Sequence, residues 1–250
     1  MPIPKTGRKF RAAVKNLGGK KVREEPATAP SDRRFGGMAA VLLVRKRKKF
    51  LRKHGVADKD RLIVLCPGGN WGPKRWPKKN FAQLADMLAE GLSAKIVLSG
   101  AKKDAVLVEE IRGMMKSSPV VSCGLTTLKE LGALLERADL VVANDSGPMH
   151  LAVAMKSNVI ALFGPTSPGL TGPYGKGNYR VIWKTKDCDP SAGSGSHPEA
   201  LEGCEVPCYD VTCIDNRCMK LITVEEVFKE SEEMLKQCSI RDTQNAKKCR

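Results

Sequence analysis

An acidic, a hydroxyl and an imidazole side chain follow one another in the stretch VVANDSGPMHLAVA, residues 141–154. Three apolar residues predict a buried strand, five turn-type residues follow, and the remaining small residues predict a helix. Asp145, Ser146 and His150 therefore fall where the carboxyl end of a strand meets the amino end of a helix. Free backbone N–H groups at a helix start attract anions, so this arrangement is typical of a phosphate or nucleotide site.

The same residues also have plainer interpretations when each is taken alone. An isolated His150 is more often a packing or capping residue than a general base, and its candidacy depends on the neighbouring Asp145. Ser146 lies outside the G-x-S-x-G pattern of a nucleophilic serine. The stretch therefore indicates ligand binding rather than acyl-enzyme chemistry.

Three further loops rich in glycine and polar residues follow apolar runs: PGGNWGPKRWP at 67–77, GAKKD at 100–104 and GPTSPG at 164–169. Glycine lets the backbone approach a ligand closely, and Lys74 or Arg75 supplies positive charge for a phosphate. One such loop indicates only a tight turn, but four at one sheet edge favour a phosphate pocket. Because neither a G-x-G-x-x-G fingerprint nor a P-loop motif is present, the pattern disfavours a dinucleotide dehydrogenase and a P-loop enzyme.

Short apolar runs alternate with amphipathic ones from Arg61 onward. The runs RLIVLC, AKIVLS, PVVSC, DLVVA and NVIALF predict strands, and helices are predicted at Asn80–Glu90, Asp104–Met115, Leu128–Arg137 and Met149–Met155. Nearly uninterrupted apolar strands separated by helices predict an α/β fold with a Rossmann-like parallel sheet, covered on both faces. Ligands bind such sheets at the carboxyl ends of the strands, where the four loops lie.

Two helix starts carry a reciprocal capping pattern. Thr127 precedes Glu130 by three residues, and Thr223 precedes Glu226 by the same spacing. In a capping box each side chain accepts a hydrogen bond from the backbone N–H of the other residue. The pattern predicts helices that begin just after the two threonines.

Residues 1–60 differ from the rest of the chain in charge and pattern. Residues 1–61 contain 19 Lys or Arg and 5 Asp or Glu, within a chain of formal net charge +16. Glycine, proline and charge predict a linker-like segment with one helix, at Met38–His54. No apolar run reaches the ~20 residues of a membrane-spanning helix, and we expect a cytoplasmic chain.

A cysteine-rich stretch lies near the carboxyl end of the chain. Its thiols follow the spacing C-x3-C-x4-C-x4-C, with Cys188 upstream, and belong to Cys204, Cys208, Cys213 and Cys218. Four thiols in one loop suit a tetrahedral zinc, although the spacing is looser than that of paired C-x-x-C knuckles. Free structural thiols are the first expectation, a structural zinc the second, and disulfides the third.

The ordered series of motifs resembles a known enzyme family. PGGNWGPKRWP is followed by FAQLADML, IVLSGAKKD, TTLKELGALLERADLVVANDSGPMHLAVA, ALFGPTSP and CMKLITVEEV. Together these motifs resemble the carboxyl-terminal half of the heptosyltransferase family, glycosyltransferase family 9, the lipopolysaccharide ADP-heptose transferases. The similarity covers roughly Leu62 to Lys236, and the order of the motifs is more specific than any one of them.

The resemblance implies a GT-B arrangement, in which two Rossmann-like domains face each other across a cleft and the carboxyl-terminal one binds the donor. It implies transfer of a sugar, expected to be heptose, from an ADP-sugar to a lipopolysaccharide core acceptor with inversion. By motif position, the resemblance places Gly69 and Asn70 at the diphosphate, with Lys74 paired to it. It places Asp145, Ser146 and Gly147 at the donor sugar and phosphate. His150 would support that loop, and Asp104 would contact the ribose or adenine. Fixed N–H donors and a lysine stabilise a departing diphosphate, so no cofactor is required for transfer.

The first 60 residues depart from the family pattern, because they offer no convincing equivalent of its amino-terminal acceptor domain. Glu24, Glu25 and Asp32 lie in the linker-like stretch, so the general base is not identified. We expect three parts: a basic segment at 1–60, a remnant of or substitute for the acceptor domain; a nucleotide-sugar-binding domain at 61–238 with a Cys-rich loop at 187–218; and a tail at 239–250. The alternative function is a non-catalytic or partial nucleotide-sugar-binding module that needs a partner chain for the acceptor site.

The basic run RKRKKFLRKH leaves three interpretations open. Such a run is most often a solvated face. Attraction to anionic lipid or phosphorylated lipopolysaccharide comes next, and would place the chain peripherally on the inner membrane face. Nucleic-acid binding comes last and is disfavoured, since charge is the whole case for it.

Overall fold

The computed structural model of the chain describes residues 37–175, 177–184, 213 and 215–244. Six parallel strands of this part form one sheet: β1 (Leu62–Cys66), β2 (Lys95–Leu98), β3 (Val120–Val121), β4 (Leu140–Asn144), β5 (Val159–Phe163) and β6 (Tyr179–Trp183). Their order across the sheet is β3-β2-β1-β4-β5-β6. The direction of winding reverses between β1 and β4, as in a Rossmann fold, and the predicted fold class is confirmed.

The helices of the described ranges cover both faces of the sheet. They are α1 (Gly37–Lys53), α2 (Lys78–Gly91), α3 (Ala105–Met114), α4 (Leu128–Arg137), α5 (Gly147–Ala154), α6 (Pro168–Thr171), α7 (Arg217–Lys220) and α8 (Val224–Gln244), with 3₁₀ turns at Gly72–Lys74 and Lys102–Asp104. The five predicted strands and the five predicted helices are confirmed, with shifts of a few residues at their ends. Strand β6 was not predicted. None of these helices is long and apolar enough to cross a membrane.

Alternate residues of the central strand β1 point to opposite faces of the sheet, and all five are buried. Ile63 and Leu65 pack in the same apolar cluster as Leu84 of α2. Val64 packs on the other side, in the cluster that contains Leu134 of α4. Burial on both faces is why these strands are continuously apolar in sequence, and it holds the strand ends, with the loops that follow them, in fixed positions.

Helix α1 packs on the sheet domain. Its Leu51 is buried in the same cluster as Leu134 of α4. Arg47 donates a hydrogen bond to the carbonyl oxygen of Ala133, at 3.1 Å. The described part of the basic segment is therefore attached to α4 through one face of a helix.

The predicted capping box at the start of α4 is confirmed. Thr127 Oγ1 accepts a hydrogen bond from the Glu130 N–H at 3.3 Å, and the Glu130 carboxylate accepts one from the Thr127 N–H at 2.9 Å. At α8 only half of the pattern forms. Thr223 accepts from the Glu226 N–H, whereas the Glu226 carboxylate bonds to Lys184 at 2.7 Å.

Thr127→Ala is expected to lower the free energy of unfolding by about 1 kcal/mol, because the Glu130 N–H in the first turn of α4 loses its cap. Hydrogen bonds from the Thr127 N–H and from Lys46 hold the pKa of Glu130 at about 2, below its ordinary value of 4.5. A lowered carboxyl pKa stabilises the fold above pH 4.5, and this contribution is lost as the pH falls toward 2. Urea unfolding of wild type, Thr127→Ala and Thr127→Ser at neutral pH checks the capping role, and unfolding of wild type across the range from pH 4.5 to 2 checks the contribution of Glu130. A serine variant with as low a free energy of unfolding as the alanine variant would contradict the capping role.

Candidate functional site

The candidate site lies where the loops after β1 and β4 meet, at the point where the winding of the sheet reverses. Asn144, the last residue of β4, is fully buried there. Its Nδ2 donates to the Pro67 carbonyl oxygen at 2.8 Å, and its Oδ1 accepts from the Trp76 N–H at 3.1 Å. One amide side chain thus fixes both ends of the loop 67–76 to the neighbouring strand.

Trp76 anchors the same loop from the inside. Its indole ring is buried, lies edge-on to Phe81 with 5.1 Å between ring centroids, and donates from Nε1 to the Ile222 carbonyl oxygen at 2.9 Å. A buried indole with a satisfied N–H is rigid as well as apolar. Lys74, two residues earlier on the 3₁₀ turn, is therefore presented from a fixed backbone.

Lys74 and Asp145 meet at the centre of this site. Lys74 Nζ lies 2.7 Å from Asp145 Oδ2. The same oxygen accepts hydrogen bonds from Thr166 Oγ1 at 2.7 Å and from Thr171 Oγ1 at 3.1 Å. The side chain of Asp145 is 5% exposed and that of Lys74 is 15% exposed. A buried carboxylate with a cation and two hydroxyl donors is held in one orientation.

This pair leaves capacity for a ligand. An ammonium group has three donors, and only one is used on Asp145, so Lys74 retains two for phosphate oxygens. Among the described residues no side-chain donor reaches Asp145 Oδ1, which leaves that oxygen for a ligand hydroxyl. Trp71 lies beside the lysine, with 4.6 Å from Nζ to the ring centroid, and further restricts the position of the charge.

The two cations of the loop 67–77, Lys74 and Arg75, have different partners. Arg75 donates from Nε and Nη2 to the Gly69 carbonyl oxygen, at 3.1 and 2.7 Å, and so closes the loop on itself. Asn70 is exposed, and its Oδ1 accepts from Lys103 Nζ at 2.7 Å. Lys74 is therefore the cation of this loop that is directed toward the β4 end, while the contacts predicted for Gly69 and Asn70 stay predictions.

Asp104 lies beneath the glycine loop and is 5% exposed. Its Oδ2 accepts from the Ala101 N–H at 3.0 Å, and a side chain at Gly68 would meet this oxygen at 2.6 Å. Oδ1 is buried without a partner in the described part of the chain. A ribose or adenine contact would have to use that oxygen and stays a prediction; the packing itself explains why residue 68 is glycine.

Two buried thiols lie near Asp104. Burial raises the pKa of the Cys66 thiol to about 12, with a further contribution from the Asp104 carboxylate. Burial likewise raises the pKa of Cys123, whose Sγ contacts the Ala101 carbonyl oxygen at 3.1 Å. A raised thiol pKa disfavours the thiolate, the form that attacks an electrophile, so we assign neither cysteine a nucleophilic role.

The start of α5 holds the remaining predicted residues. Ser146 is the N-cap of α5, and its Oγ donates to the Asn144 carbonyl oxygen at 3.1 Å. Gly147 is exposed, and a side chain there would meet open space. His150 is also exposed, and its ring stacks on Tyr174 with 6.4 Å between centroids. The structure thus places His150 on the outer side of the helix start, and its support of the loop stays a prediction.

Cys204 and Cys208 of the predicted metal set lie outside the described residues, as does Cys188. Cys213 and Cys218 are half-buried. Cys213 Sγ accepts from the Asn216 N–H at 3.4 Å. The described ranges contain no group of three or more metal-binding side chains, and the zinc site stays a prediction.

Asn144, Thr166 and Thr171 were not predicted as site residues. A polar residue that ends an apolar strand is the signal for Asn144, since a buried amide must find partners. The glycines of the loop GPTSPG indicate a ligand site, but its sequence does not show that the Thr166 hydroxyl contacts Asp145. Thr166 and Asp145 are separated by 21 residues, so their contact depends on the pairing of β4 with β5.

Thr166→Val is expected to lower the free energy of unfolding by about 1.5 kcal/mol, because a buried carboxylate loses one of three donors at unchanged side-chain size. Thr166→Ser keeps the hydroxyl and serves as the matched control. Urea unfolding at neutral pH measures both. Equal stability of the valine variant and wild type would show that Thr166 does not hold Asp145.

Comparison with known proteins gives one consistent result. The family model of glycosyltransferase family 9 (heptosyltransferase) matches residues 38–200. The chain is 38% identical over 141 residues to lipooligosaccharide heptosyltransferase 2 of Haemophilus ducreyi, which covers 54% of this chain and 40% of the relative. It is 30% identical over 183 residues to lipooligosaccharide heptosyltransferase 2 of Campylobacter jejuni, covering 70% and 51%.

Solved structures agree with the sequence matches. A glycosyl transferase family 9 structure from Veillonella parvula superposes with a TM-score of 0.64 at 27% identity, covering 78% of this chain and 52% of that chain. The ADP-heptose heptosyltransferase II of Escherichia coli superposes with a TM-score of 0.60 at 27% identity, covering 77% and 52%. The chain thus spans about half the length of these proteins.

Proposed function

The chain belongs to glycosyltransferase family 9, and from this premise we propose that it binds an ADP-sugar, with heptose as the sugar, and transfers the sugar to a lipopolysaccharide core acceptor. The observation that carries the proposal is the Lys74–Asp145 pair at the β1/β4 crossover. It supplies a cation and a carboxylate on rigid elements at the edge of the sheet where Rossmann-like folds bind nucleotides.

The donor's two halves match the two members of the pair. The free N–H groups of Lys74 bind the diphosphate, and Asp145 Oδ1 accepts a hydrogen bond from a sugar hydroxyl. As the bond from the sugar to the diphosphate breaks, negative charge grows on the phosphate oxygens, and a fixed ammonium group stabilises that charge. The start of α5 adds N–H dipoles to the same region. No metal is needed for this role.

The acceptor half of the reaction needs a base that removes a proton from the attacking hydroxyl as the new bond forms. We do not assign this base to Asp145, because its Oδ2 is bound to Lys74, Thr166 and Thr171 and its Oδ1 is proposed to hold the donor sugar. Four of the matched relatives are named heptosyltransferase 2, and these names support a transferase over a module that only binds the nucleotide sugar. The proposal places the reaction in the cytoplasm.

Calorimetric titration of the chain with ADP, ADP-heptose and UDP-glucose tests donor binding. We expect binding of both ADP compounds, tighter binding of ADP-heptose, and no measurable binding of UDP-glucose. Affinities unchanged by a chelator are expected if the charge is supplied by Lys74 rather than by a metal. Equal binding of UDP-glucose and ADP-heptose, or no binding of either, would contradict the proposal.

A further inference from the structure

The surface of α1 that faces away from the sheet is strongly basic. Five cationic side chains line one shallow depression of about 540 Å³ on this surface: Arg45, Lys48, Lys49, Arg52 and Lys53. We call these five residues the basic face of α1. They recur at intervals of three and four residues, which places them on one side of a helix.

The opposite side of α1 fixes which surface is presented. Ala40 and Leu51 are each 5% exposed, and they lie eleven residues apart, three turns along one stripe of the helix. Arg47, on the same stripe, donates to the Ala133 carbonyl oxygen. Rotation of the helix would remove both apolar side chains from the core, so the basic face stays directed outward.

The basic face carries an excess of positive charge. Lys48 and Arg52 share one carboxylate, Asp58, at 3.3 and 3.1 Å. Arg45, Lys49 and Lys53 have no ion-pair partner within the described ranges. Five cations therefore face one anion on this surface, which is complementary to a negatively charged partner.

Two aliphatic side chains extend the basic face at its amino-terminal end. Val41 is 46% exposed and Leu42 is 53% exposed. Val41 lies one turn before Arg45, and Leu42 lies three residues before it. Exposed aliphatic groups contribute nothing to a contact with a phosphodiester backbone, but they can enter the boundary between lipid headgroups and acyl chains. This feature favours a lipid surface over a nucleic acid.

We propose that the basic face of α1, together with Val41 and Leu42, docks on a bilayer that contains anionic phospholipid. The cations contact the headgroup phosphates, and the two aliphatic side chains enter the interface. This contact does not use Lys74, Asp145 or the start of α5, so it is independent of donor binding.

Co-sedimentation of the full chain with vesicles tests the proposal. Vesicles of phosphatidylcholine mixed with phosphatidylglycerol are compared with vesicles of phosphatidylcholine alone, between about 0.05 and 0.5 M NaCl. We expect binding to the anionic vesicles only, with an affinity that falls as salt rises. A combined Arg45→Gln, Lys49→Gln, Lys53→Gln variant should bind roughly 100-fold more weakly, since each of the three cations near the surface contributes a factor of about five.

A matched variant controls for net charge. Lys79, Lys95 and Lys116 are exposed on other surfaces, and their replacement by glutamine removes the same charge. This control should bind vesicles as wild type does, and both triple variants should keep the wild-type thermal stability. A Val41→Ser, Leu42→Ser variant should lose the binding that persists at high salt.

Three results would overturn the proposal. The first is equal loss of vesicle binding in the two triple variants, which would indicate a general effect of net charge. The second is equal binding to neutral and anionic vesicles. The third is absence of vesicle binding combined with salt-sensitive binding of duplex DNA or RNA that the Arg45, Lys49 and Lys53 substitutions abolish, which would assign the face to nucleic acid.

Discussion

Lys74→Ala is expected to weaken ADP binding by about 10- to 150-fold, the equivalent of the ~1.5–3 kcal/mol of a hydrogen bond to a charged group. The lysine is held by a buried carboxylate and by an aromatic ring, so little conformational entropy is lost when it binds a diphosphate. Truncation removes the ammonium group and leaves the carboxylate of Asp145 with two hydroxyl donors. Calorimetric titration with ADP measures the loss directly.

The control for this prediction is Lys79→Ala, which removes an exposed lysine at the start of α2. Its ADP affinity should equal that of wild type. Urea unfolding of the Lys74→Ala variant separates a loss of affinity from a loss of folded protein. Wild-type ADP affinity in a folded Lys74→Ala variant would remove Lys74 from the site.

Asp145→Asn is expected to leave ADP affinity nearly unchanged and to reduce the preference for ADP-heptose over ADP by about tenfold. The amide oxygen can take the place of Oδ2 and still accept from Lys74, Thr166 and Thr171. The amide nitrogen then replaces Oδ1 and cannot accept a hydrogen bond from a sugar hydroxyl. The substitution therefore changes the sugar contact while it conserves the shape of the site.

Comparison of the affinities for ADP and ADP-heptose tests the prediction for Asp145→Asn. Titrations with ADP and with ADP-heptose are performed on the same preparation, and the ratio of the two affinities is compared with that of wild type. An equal loss for both ligands would contradict a sugar contact and would indicate that Asp145 acts only by orienting Lys74. Unchanged affinities for both would show that the carboxylate is not part of the donor site.

The sheet was predictable from the sequence because its strands are buried on both faces. Strands β1, β4 and β5 are each five residues long with every residue buried, and their sequences are apolar except for Asn144, the last residue of β4. The start of α4 was equally predictable, since its capping box involves two residues only three positions apart. Signals that depend on neighbouring residues, or on complete burial, were thus sufficient for these elements.

Elements with one exposed side were harder to predict. Strand β6 forms the edge of the sheet, and four of its five residues are only half-buried, so YRVIW carries no clear pattern. Helix α1 was predicted, but its packing on α4 was not, because its buried stripe includes Arg47 between Ala40 and Leu51 and lies within a basic run. In both cases the missing information lies in tertiary contacts rather than in the local sequence.

Some residues of the candidate site were predictable from the sequence and others were not. Lys74 and Asp145 were recognised because loops rich in glycine follow apolar runs, and the fold brings the two side chains to 2.7 Å. The hydroxyls of Thr166 and Thr171 could not be assigned, since their target lies at least 21 residues away and is reached through strand pairing. Sequence reasoning found the charged groups but not the neutral donors that orient them.

A crystal structure of the chain with ADP-heptose tests the proposed donor site most directly. We expect the nucleotide across the ends of β1 and β4, with a diphosphate oxygen about 3 Å from Lys74 Nζ and a sugar hydroxyl at the same distance from Asp145 Oδ1. A donor bound elsewhere on the chain, or bound at this edge with Lys74 still directed only at Asp145, would contradict it.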